Sequence, residues 1–110
     1  MRGLTDVVSI GFLHAIRGNF DNFGGAFAIE ELVSTPWASV TFSGARHRVT
    51  FTLEGEGAAG AADAFLARMD EAEFDLGGHI LADIAWAGEE RDDDGRRVRL
   101  TLEALTVKDD

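Results

Sequence analysis

Two seven-residue stretches, Arg48-Val-Thr-Phe-Thr-Leu-Glu54 and Arg97-Val-Arg-Leu-Thr-Leu-Glu103, alternate apolar and polar side chains in the same order. A period of two puts Val49, Phe51 and Leu53 on one face and Arg48, Thr50 and Thr52 on the other, which is the signature of a strand buried on one side only. Val98, Leu100 and Leu102 repeat the arrangement. A chain with two such strands must cover one face of a sheet and leave the other to solvent. Each heptad also follows another strand-like run, which hints at a duplicated helix-plus-hairpin unit.

The covering layer comes from residues 58–72, where Ala58, Ala61, Ala62, Phe65, Met69 and Ala72 recur every three or four positions with Leu66 widening the stripe. Asp63, Asp70 and Glu71 lie outside that stripe. Trp37 to Phe42 and His47 to Glu54, separated by Ser43-Gly44-Ala45-Arg46, read as one hairpin. A second has Ile80, Ala82, Ile84 and Trp86 inward, a turn over Glu89–Gly95 and a return through Val98, Leu100 and Leu102. Asp94-Gly95 suits the positive φ of a tight turn.

Upstream, Val8, Ile10, Phe12, His14 and Ile16 alternate within VVSIGFLHAI, so 7–16 is expected to be a strand and 17–25 a loop rich in turn formers. Ala26, Ile29 and Val33 share a helical face ended by Pro36, with a strand as the competing assignment. The order is then strand, short helix, two strands, long helix, two strands. The expected class is α+β: a single domain over 1–110, a two-layer sandwich whose antiparallel sheet of four to five strands carries helices on one face. The order is that of a ferredoxin-like βαββαβ fold plus one strand, with ββαββ as the fallback.

The chain has no cysteine, which removes disulfides, thiolate metal sites and cysteine nucleophiles and makes a cytoplasmic location the default expectation. The N-terminal run lacks the features of a signal peptide, and no stretch approaches the length of a membrane span. Net charge is −10, and residues 54–110 hold the whole imbalance, with sixteen acidic against six basic groups. That field disfavours nucleic acid and anionic membrane and suits a basic protein partner or simple solubility.

Gly55, Gly57 and Gly60 form a literal G-x-G-x-x-G before the long helix. The preceding strand alternates instead of being buried on both faces, no acidic residue ends the next strand about 20 positions on, and Glu54 and Glu56 sit where a phosphate would lie. The glycines are therefore assigned to a strand-to-helix turn, and no cofactor is expected. His14, His47 and His79, each placed at a strand end and expected to approach the same edge of the sheet, are the candidate ligand or metal residues. Candidate partner-contact residues are Asp63, Asp70 and Glu71 on the helix and Phe20 and Phe23 in the loop. The leading expectation is a small acidic non-enzymatic interaction or ligand-binding domain that forms a homodimer through edge strands Trp37–Phe42 and Val98–Val107, with Arg97 and Arg99 as gatekeepers. The alternatives are a small enzyme or metal-binding protein using a histidine pair, and an acidic inhibitor or immunity-type protein that occupies a basic surface through residues 54–75 and 89–94.

Overall fold

A computed structural model describes residues 7–69, 76 and 79–108. The elements in chain order are α1 (Val7–Gly18), β1 (Ala26–Ala38), β2 (Ser43–Glu54), α2 (Ala58–Arg68), β3 (His79–Arg91) and β4 (Arg97–Lys108). The four strands form one antiparallel sheet in the order β1-β2-β4-β3. The class is α+β, as the alternating heptads require. The strand order departs from the ferredoxin-like one, and from β1 onward the succession is ββαββ with α1 in front. No described helix is long and apolar enough to cross a membrane.

Two segments differ from the expectation, because in each the local spacing of buried residues imitates the period of the other element. In residues 7–16 the expected strand is helix α1. Val8, Phe12 and Ile16 are buried and Phe20 continues the row, while Ile10 and His14 are exposed. A four-residue spacing satisfies both a strand's alternation and a helix's stripe, and only the exposure of the intervening residues separates them. In residues 26–33 the expected helix is strand β1, the competing assignment. A bulge between Ile29 and Glu31 leaves Glu30 without a register partner. The inward residues are consequently Phe27, Ile29, Leu32 and Ser34, and the three-residue step across the bulge imitates a helical period.

The two heptads are neighbours. Arg48 pairs with Glu103, Phe51 with Leu100 and Glu54 with Arg97, so the repeat is related to itself by an approximate two-fold through the Phe51–Leu100 pair. The Val98–Val107 strand expected at an edge is therefore internal, and the open edges belong to β1 and β3. The helix-plus-hairpin order occurs twice along the chain.

Both helices cover the same face. Phe12 of α1 lies 5.4 Å from the His47 ring, and Phe65 of α2 meets Phe51 edge-on at 6.2 Å. Phe20 and Phe27 complete an aromatic cluster around Phe51, at 5.5 and 5.3 Å from it. On the uncovered face, Thr50 and Thr52 are buried under an ionic lid. Thr50 bonds Thr101 at 3.1 Å, Thr52 donates to the bulged Glu30, and Glu30 also takes Arg99 Nε at 2.7 Å.

That lid has a pH signature. The Thr52 hydrogen bond first, and then Arg99, hold the Glu30 carboxyl below its ordinary value. A depressed carboxyl pKa stabilises the fold above the unfolded value, and the contribution disappears as pH falls through the folded one. Glu30→Gln should lower stability at neutral pH and narrow its gap from wild type in acid. Urea unfolding across that range checks it; a gap that does not change with pH contradicts it.

Candidate binding cleft and the polar chain beside it

At one end of the sheet, register brings four strand ends together: Pro36 opposite Ala45, Trp37 opposite Gly44, Gly44 opposite Val107, and His79 opposite Lys108. The β1–β2 connection is a tight turn at this end, with Ser39 N–H donating to Phe42 O at 2.7 Å. Residues 43–46, expected as the turn, are the first part of β2. Between these strand ends and Val8 of α1 lies a cleft of about 550 Å³, lined also by Ser34, Ala38 and Ser43. Two nitrogens of its lining residues, Trp37 Nε1 and His79 Nδ1, are buried without a hydrogen-bond partner. None of the described lining residues is acidic, although the chain has 20 acidic groups.

A chain of hydroxyls and one imidazole runs from this cleft across the sheet. Thr106 donates to Ala45 O at 3.3 Å, so its oxygen accepts from His47 Nε2 at 3.0 Å. His47 Nδ1 is then the bare nitrogen and accepts from Ser34 Oγ at 2.7 Å, and Ser34 in turn accepts from Ser9 at 3.0 Å. With a neutral imidazole these donor and acceptor roles are mutually consistent. His47 is 1 % exposed, and the series supplies both its ring nitrogens.

The three histidines occupy separate surroundings. His14 is on the exposed side of α1 and not at a strand end, His47 is in the buried series, and His79 lines the cleft. Among the described residues no cluster of three His, Cys, Asp or Glu could hold a metal ion. The expected convergence needed 7–16 to be a strand.

The opposite end of the sheet is acidic. Gly57, with φ of 86°, and Gly95, with φ of 72°, make left-handed turns that an L side chain would strain. They bring the β3–β4 turn against the start of α2, where Ala58 N–H donates to Gly55 O and Ala59 N–H to Gly95 O. The chain's own carbonyls thus occupy donors that a phosphate would need. Around them Glu54, Glu56, Asp92, Asp93 and Asp94 are exposed. Asp63, half-way along α2, is bridged to Arg91 at 2.7 Å, and Arg91 also holds Glu89 at 2.6 Å. Asp70 and Glu71 lie outside the described residues. Phe20 is buried in the aromatic cluster, and Phe23 is half-buried against the core.

Ser34, Trp37 and Lys108 were not singled out from the sequence as a site. The available signals were a tryptophan next to the chain's one proline and a single lysine in an acidic chain, neither of which shows proximity.

No known family model matches the chain, and neither does any curated protein. A solved structure described as the virion of a native gene transfer agent particle contains a similar chain. It has a TM-score of 0.45 and 15% identity over 78% of this chain and 69% of that one. A likeness of that size leaves function to this chain's own surface.

Proposed function

We propose that the protein is a non-enzymatic interaction domain that self-associates through the end of the sheet bearing the β1–β2 turn. The observation that carries this is the contrast between its two ends. Val40 is fully exposed, and Phe42 and Ile80 are 60 % and 51 % exposed beside Val107 in a groove lined by no described acidic residue. Most described acidic groups gather toward the other end and over the ionic lid, Asp83 opposite Leu105 being an exception. Two copies with net charge −10 repel each other, and repulsion is least where described acidic residues are sparse and apolar surface can be buried. The Trp37–Phe42 segment expected to self-associate is at this end, whereas Val98–Val107 belongs to a strand internal to the sheet.

Light scattering at micromolar concentration tests the proposal. The wild type should have the mass of a dimer, and Val40→Asp with Phe42→Asp should have that of a monomer. The turn is exposed, so the variant should stay folded and lose only the concentration-dependent part of its thermal stability that the dimer supplies. A monomeric wild type contradicts it.

The acidic end favours a second use, contact with a basic protein. Glu54, Glu56, Asp92 and Asp93 have no ion pair among the described residues. Binding of a polylysine probe should weaken sharply with salt and be lost on neutralising these four; binding indifferent to salt contradicts it.

A further inference from the structure

We propose that the cleft between α1 and the strand ends binds a carboxylate carried on a compact apolar group. Its volume, about 550 Å³, is that of a small-molecule site. Its walls are Val8, Pro36, Ala38, Ala45 and the Trp37 ring, which suit an apolar body.

The polar groups define the rest of the ligand. An indole nitrogen only donates, and an ammonium only donates, so Trp37 and Lys108 both ask for an acceptor. Trp37 Nε1 and His79 Nδ1 are shielded from bulk water and have no partner. An unpaired buried group of this kind is costly, and a ligand that supplies an acceptor recovers the cost. Ser43 adds a hydroxyl at the mouth. No described residue lining the cleft is an acid, so its described polar groups favour an anion over a cation. One lysine within a chain of net charge −10 favours a monovalent carboxylate over a phosphate dianion, whose second charge the surrounding field would repel.

The carboxylate has two possible sources, a free small acid and the C-terminus of a peptide chain, and the experiment separates them. Trp86→Phe leaves Trp37 as the sole tryptophan, so its fluorescence reports the cleft. The protein is titrated with benzoate, hexanoate, their amides, and a short peptide ending in leucine with a free or an amidated terminus. Saturable quenching by the acids but not the amides is expected, weakened about tenfold or more by Lys108→Gln, the loss of one charged hydrogen bond. Preference for the free acids assigns a metabolite-like ligand, and preference for the free-terminus peptide assigns a chain end. Quenching by amides and acids alike, no saturable response, or an unaltered affinity in Lys108→Gln overturns the proposal. Repeating the titration on the Val40→Asp, Phe42→Asp variant separates this site from self-association: loss of the dimer with retained binding leaves the cleft standing.

Discussion

Phe51→Ala will destabilise the protein by about 3–5 kcal/mol, the range for truncating a wholly buried aromatic side chain. Phe51 is 0 % exposed and sits at the pseudo-two-fold of the sheet. It touches Phe20 from the α1–β1 connection, Phe27 from β1 and Phe65 from α2. Those neighbours come from three segments of the chain, so none can relax into the space without losing its contacts with the others. A domain of this size has about 5–15 kcal/mol of stability in total. The variant should therefore show a large fall in urea midpoint with an unchanged m value. A fall below about 1 kcal/mol would mean that the cluster is not the centre of the core.

The second large effect is at His47. Replacing it with leucine preserves volume but takes the donor from Thr106 and the acceptor from Ser34, at an expected cost of about 2–4 kcal/mol. The cause can be separated from packing. Leaving one buried partner unsatisfied is expensive, while replacing both partners by apolar groups is nearly neutral. Adding Thr106→Val to His47→Leu should thus recover part of the loss, although Thr106→Val alone destabilises. Strict additivity of the two substitutions in chemical unfolding would contradict the hydrogen-bond series, because residues in one network couple.

The sheet was legible in the sequence because its central strands carry apolar residues on the helix-covered face and polar ones on the other, even where, as at Thr50 and Thr52, the polar face is buried under the ionic lid. β2 and β4 show this at Val49–Leu53 and Val98–Leu102. The long helix was legible through its alanine stripe, within which Ala58, Ala62 and Phe65 are buried. The edges were not. β1 contains a bulge at Glu30, and α1 has its buried residues at a spacing of four, so in both the local period matched the wrong element. The site was hidden for a different reason. Ser34, His47 and Thr106 are 13 and 59 residues apart in sequence, and only the pairing of β1, β2 and β4 makes them neighbours. The histidines looked like a group because three strand ends were expected at one rim; turning one strand into a helix dispersed them.

The turn end, as proposed, is a contact surface between copies. Amide hydrogen exchange at low and high protein concentration tests it most directly. Slower exchange at high concentration should appear at Ala38–Ser43 and Ile80, with no change at Glu54–Gly57 and Asp92–Gly95. Exchange that is independent of concentration, or slowed only at the acidic end, would contradict it.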